Sequence, residues 1–110
     1  MEHSMDIPEI SVQELDALRN AKADFLILDV RNPDEYAICN LGGCLIPFKE
    51  LPSRLNELNR DQLIIIHCHS GGRSRRATEF LLQAGFTQVK NLRGGITAWT
   101  NEIDPKMARY

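Results

Sequence analysis

The run Leu63-Ile64-Ile65-Ile66-His67, followed at once by Cys68-His69-Ser70-Gly71-Gly72-Arg73-Ser74, restricts this chain more than any other segment. Four consecutive apolar residues, three of them β-branched, suit a strand covered on both faces, the environment of a parallel sheet. Further on, Ala77, Phe80, Leu81 and Ala84 recur at helical spacing. A helix is therefore predicted over 74–84, with Gly85 as its left-handed stop. Cys68 falls where a buried strand gives way to that helix. Helix N-termini leave N–H groups unpartnered and carry partial positive charge, and paired glycines let a tight loop aim further N–H groups inward. A thiol there ionises more readily, and Arg73, five residues on, favours the thiolate further.

The remaining elements alternate around this unit. Ser11 and Glu14 form a capping box, with Ile10 positioned to staple onto Leu15, so a helix is predicted over 12–20. Phe25-Leu-Ile-Leu-Asp-Val30 reads as a strand covered on both faces. Asn32 and Pro33 cap and open a short helix. A short strand over 44–46 stops at Pro47, and a helix over 52–58 is expected to turn Leu55 and Leu58 inward, with Pro52 in its first turn. Val89 to Leu92 is a last strand, and 96–101 a last helix. Strands alternating with helices predict an α/β domain: a central, mainly parallel sheet with helices on both faces. Ligands bind such sheets at the carboxyl ends of their strands, where Asp29 and Cys68 both lie.

At 110 residues, 43% hydrophobic and 25% charged, the chain is expected to form one globular domain over 1–110, with 1–9 as a flexible N-terminal segment. Its net charge of −2 argues against nucleic acid or an anionic membrane as a partner. The charge is unevenly spread: six basic against twelve acidic side chains up to His67, then seven against three from Cys68 onward. The cysteine loop therefore belongs to the positive half. Three cysteines without a Cys-x-x-Cys pair make neither a disulfide framework nor a zinc site of the usual spacing, so no metal is expected. A reducing cytoplasm is the natural compartment; no signal peptide is visible and no run is long enough to span a bilayer.

The segments Asp29-Val30-Arg31, Glu35-Tyr36, Cys68-His-Ser-Gly-Gly-Arg73-Ser74, Gly85-Phe86 and Asn91-Leu-Arg-Gly-Gly-Ile-Thr-Ala-Trp99, in this order and spacing, closely resemble the rhodanese family of sulfurtransferases. The resemblance runs from Ser11 to the C-terminus and implies the rhodanese-like fold. It implies that Cys68 takes a sulfane sulfur from a small-molecule donor such as thiosulfate, becomes a persulfide, and passes the outer sulfur to cyanide, a thiol or a sulfur-carrier protein. No cofactor is implied beyond that covalent intermediate. It also gives Asp29 a supporting role in the wall of the site, with Arg31 nearby. Asn40-Leu-Gly-Gly-Cys44 stands where many family members have His-Ile-Pro-Gly-Ala. The tail Asp104-Pro105-Lys-Met-Ala-Arg-Tyr110 is similar to rhodanese domains fused to adenylyltransferases, which implies a sulfur-carrier protein or an adenylyltransferase as partner.

The residues support the same chemistry. A persulfide is an anion, and inward N–H groups from His69, Ser70, Gly71, Gly72, Arg73 and Ser74 could hold it as an oxyanion hole holds charge. The plain alternative for Cys68 is a small core residue. Arg73 in the first turn of a helix opposes the macrodipole by about 0.3–1 kcal/mol, so its compensation is expected from an anion in the loop, against the alternative of a solvent-facing arginine. Asp29 is expensive to bury unpaired and is expected to meet an arginine or loop amides; a purely structural Asp29 fits equally. His67 faces away from Cys68 and is read as structural. His69 stands where similar proteins often carry arginine, which lessens electrostatic help at neutral pH. Cys39 and Cys44 are read as ordinary buried cysteines before resolving thiols, and Trp99 as a packing residue. Two other functions remain open. A phosphatase or arsenate reductase also uses a Cys-loop-Arg at a helix N-terminus, although related phosphatases have five intervening residues where Cys68 and Arg73 have four. The other is a noncatalytic binding module.

Overall fold

The computed structural model describes residues 7–110. In chain order its elements are β1 (Glu9–Ile10), α1 (Val12–Asn20), β2 (Phe25–Asp29), α2 (Pro33–Ile38), β3 (Cys44–Leu45), β4 (Leu63–His67), α3 (Gly72–Gln83), β5 (Val89–Leu92) and α4 (Gly95–Glu102). The strands form one sheet in the order β1-β5-β4-β2-β3, every pair parallel. β4 is central. Asp29 pairs in register with His67, so β2 and β4 end level at the same edge, and the segments following them meet there.

Period-two alternation sorts the strand side chains into two cores. Leu28, Ile64 and Ile66 pack with Ala77 and Leu81 of α3. Ile27 and Ile65 face the opposite way, against Val12 and Leu15 of α1 and Ile96 and Trp99 of α4. Cys68 continues the α3 side of that alternation. Helices thus cover both faces of the sheet. The capping box at Ser11 forms as expected, with Ser11 Oγ accepting from the Glu14 amide at 3.1 Å and Glu14 Oε1 from the Ser11 amide at 2.9 Å.

Two segments differ from the sequence reading. Of the stretch expected to be flexible, 1–6 lies outside the described residues, but Ile7 is buried and β1 pairs with β5. The Asn91 amide donates to Pro8 O and the Arg93 amide to Ile10 O, both at 2.9 Å. A two-residue strand carries no periodicity to read. In place of a helix over 52–58 there are two short 3-10 turns, Phe48–Ser53 and Leu55–Glu57. Pro52 lies inside the first, where its missing N–H and its ring block α-helical continuation, and the chain breaks at Arg54. Leu51 and Leu58 are the buried anchors there, while Leu55 is only partly covered.

β2 ends in a fully buried ion pair. Arg31 curls back onto Asp29 with Nη2 to Oδ2 at 2.7 Å and Nε to Oδ1 at 2.9 Å, while its own amide donates to Oδ1 at 3.0 Å. Arg31 Nη2 also donates to Cys39 O at 2.7 Å. Such a pair is tolerated in the interior because its remaining donors and lone pairs are satisfied. Removing one partner leaves an uncompensated charge. Asp29→Ala is expected to destabilise the fold by about 3–5 kcal/mol, read as a lower urea midpoint at neutral pH with an unchanged slope.

Candidate active site

The cysteine loop is clamped between the N-termini of two helices. On one side α3 begins at Gly72, and Gly71 before it adopts φ +126, a conformation closed to most side chains. The Gly71 amide donates to Cys68 Sγ at 3.1 Å, and the Arg73 and Ser74 amides at the start of α3 also favour charge on the sulfur. Ser74 Oγ lies 3.4 Å from it. On the other side, the Ile96 and Thr97 amides of α4 donate to the carbonyls of Cys68 and His69, each at 3.0 Å, and Thr97 Oγ1 adds a bond to His69 O at 2.9 Å. Gly95 makes this approach possible. It sits at φ +60, and a Cβ there would come within 2.5 Å of His69 O and 2.6 Å of Cys68 O.

The loop's peptide groups are therefore sorted, carbonyls toward α4 and amides toward the sulfur. Burial alone would raise the Cys68 thiol pKa, since Cys68 is only 2% exposed. Donation from the Ser74 hydroxyl and from the Ser74, Gly71 and Arg73 amides outweighs that burial, and the thiol ends below its ordinary value. His67 faces away: its Nδ1 lies 3.4 Å from Cys68 O, and its Nε2, 3.6 Å from Asp29 Oδ2, has no hydrogen-bond partner among the described residues; burial lowers its pKa and keeps the ring neutral.

Not every loop residue faces the sulfur. Ser70 is exposed, and the His69 ring lies against Tyr110 with centroids 4.4 Å apart. Arg73 finds its counterion outside the loop: its guanidinium grips Glu35 in a bidentate pair, Nη1 to Oε1 at 2.8 Å and Nη2 to Oε2 at 2.9 Å. Arg73 holds the Glu35 carboxyl at about 2, against the opposing effect of burial. Tyr110 ties this pair to the buried one. Its hydroxyl donates to Glu35 Oε2 and accepts from Arg31 Nη1, both at 2.9 Å, so Asp29 and Arg31 reach the loop through Tyr110, Glu35 and Arg73.

Glu35 and Tyr110 lie 38 residues before Arg73 and 41 residues after His69 in the chain, separations at which no local pattern signals a contact. Cys39 is buried and Cys44 partly so, and both are free thiols. Cys39 lines a pocket of about 220 Å³ together with His69, Ile96, Thr97 and Tyr110, a lining that does not include Cys68. Trp99 packs in the α1–α4 core with Arg19 over its ring. Among the described residues no three His, Cys, Asp or Glu side chains gather as a metal site.

A family model described as "Rhodanese-like domain" matches residues 11–102. A sulfurtransferase of Allochromatium vinosum is 36% identical over 93% of this chain and 96% of its own length. An adenylyltransferase and sulfurtransferase of Meyerozyma guilliermondii is 31% identical over 92% of this chain, which spans 26% of that protein. A rhodanese-like domain protein from Staphylococcus aureus has a solved structure that superposes with a TM-score of 0.81 at 31% identity, covering 88% of this chain and 95% of that one.

Glu35 gives the site a pH signature. Its folded pKa is depressed, so the Arg73 pair stabilises the protein above the unfolded carboxyl value of 4.5, and that contribution is lost as pH falls toward about 2. Glu35→Gln is expected to remove this part of the acid dependence and to cost about 1–2 kcal/mol at neutral pH, as measured by urea unfolding across that range. Gly95→Ala is expected to destabilise by about 2 kcal/mol or more, from positive φ and backbone overlap, and to slow iodoacetamide alkylation of Cys68 at fixed pH as the loop carbonyls are displaced.

Proposed function

Because the chain belongs to the rhodanese-like domain family, we propose that it is a sulfurtransferase carrying sulfane sulfur on Cys68. The observation that carries this reading is the seat of Cys68 Sγ at the N-terminus of α3, where the Gly71 amide donates to it at 3.1 Å and the Arg73 and Ser74 amides favour its charged form. The Cys68 thiolate attacks the sulfane sulfur of a donor such as thiosulfate; an S–S bond forms and sulfite leaves with the electron pair of the broken bond. The outer sulfur then lies about 2.05 Å beyond Sγ, and its negative charge is what inward amides stabilise. A thiophilic acceptor attacks that sulfur, the S–S bond breaks, and the thiolate returns. Cyanide as acceptor yields thiocyanate.

Asp29, Arg31 and Glu35 support the loop from behind through their hydrogen bonds, and none of them exchanges a proton with the reacting sulfur. The commitment of the Arg73 guanidinium to Glu35 counts against a phosphatase or arsenate reductase, which needs that arginine on the oxyanion. The chain spans almost all of the Allochromatium sulfurtransferase but about a quarter of the Meyerozyma adenylyltransferase and sulfurtransferase. The second likeness supports a sulfur-carrier protein or an adenylyltransferase as partner. Three free thiols fit a reducing cytoplasm, and no helix among the described residues is long and apolar enough to cross a membrane.

Intact mass spectrometry of the reduced, folded protein after thiosulfate is expected to show one added sulfur atom, removable by cyanide and absent from Cys68→Ser. A wild-type protein that stays unmodified with thiosulfate and with a persulfide donor overturns the reading.

A further inference from the structure

The Ser74 hydroxyl has one proton and three neighbours that can accept it. Its oxygen lies 2.6 Å from Asn91 Oδ1, 3.2 Å from Gly71 O and 3.4 Å from Cys68 Sγ. The direction of the Asn91 amide is fixed from behind. Glu9 presents a carboxylate, which only accepts, and Asn91 Nδ2 donates to its Oε2 at 3.1 Å. Oδ1, which also only accepts, is thereby left facing Ser74. Glu9 is held in place by Arg93 at 3.3 Å and Arg75 at 3.8 Å. Ser74 and Asn91 are 0% and 2% exposed, so water does not mediate between them.

We propose that Asn91, oriented by Glu9, is a positioning residue that holds the Ser74 proton while Cys68 is a thiol and releases it when the sulfur becomes charged. In the neutral state the thiol S–H points to Ser74 Oγ, and the Ser74 O–H to Asn91 Oδ1. On ionisation the sulfur's proton goes to solvent base. The Ser74 hydroxyl, keeping its own proton, swings to donate to Sγ, and Asn91 Oδ1 loses its donor. A buried acceptor left unpaired opposes the change. Asn91 thus offsets part of the stabilisation that the loop donors give the thiolate.

The other charged groups around the loop are already committed: Arg73 to Glu35 from α2, and Asp29 to Arg31, beside neutral His67, behind β4. The proposal deepens the sulfurtransferase reading and draws its purpose from it, yet ionisation of Cys68 is measured without any sulfur donor. The two therefore fail separately.

The test follows iodoacetamide alkylation of Cys68 against pH in the full chain, resolved from Cys39 and Cys44 by peptide mass spectrometry. Asn91→Leu, which keeps the branch at Cγ and removes both polar atoms, is expected to lower the apparent Cys68 pKa by about one unit, and Ser74→Ala to raise it. In the Ser74→Ala background, Asn91→Leu is expected to change nothing further. Glu9→Gln, which frees the Asn91 amide to turn, is expected to act in the same direction with the same dependence on Ser74, and it serves where Asn91→Leu does not fold. An unchanged or raised pKa in these variants, or a shift of equal size without the Ser74 hydroxyl, overturns the proposal. Thiosulfate loading of the wild type, run in parallel, reports on sulfur transfer alone.

Discussion

The pairing of the α4 amides with the carbonyls of Cys68 and His69 is the contact on which the rest of the site rests. A peptide group is rigid, so fixing a carbonyl on one side fixes where the neighbouring amide can point. With its carbonyls satisfied by Ile96 and Thr97, the loop is free to spend its amides on a single sulfur atom. Neither helix alone does this. α3 supplies donors, α4 removes the competing acceptors, and Gly95 lets the two approach to backbone contact distance.

Around that clamp runs a chain of charges in which each cation has its own anion. Asp29 neutralises Arg31 in the interior, Glu35 neutralises Arg73 at the rim, and the Tyr110 hydroxyl joins the two. Because the arginines are neutralised before any ligand arrives, the loop offers oriented dipoles more than net charge. That suits a sulfur anion bonded to the protein itself, which needs several short donors and no counterion to follow it in.

The parts of this arrangement that were legible in the sequence are those encoded locally. Ser11 and Glu14 are three residues apart, and the junction of β4, loop and α3 is written in one continuous stretch from Leu63. The uninterrupted apolar runs at 25–28 and 63–66 marked a parallel sheet covered on both faces. The region around Pro52 misled because leucine spacing suggests an α-helix while a proline at that place permits only tighter turns. The partner of Arg73, the reach of Tyr110 over His69 and the amide direction of Asn91 depend on residues that meet only once the sheet has formed. No window of sequence contains both ends of those bonds.

The two-residue strand β1 has a consequence for the order of assembly. Its Glu9 meets Asn91 across 82 positions of chain, on β5, the strand that leads into α4. Closing so wide a loop is entropically costly and waits until the intervening strands have aligned. A nascent polypeptide can thus organise β2 and β4 while the loop after β4 is still unfinished, and Cys68 gains its full set of neighbours only once β5 and α4 have been added.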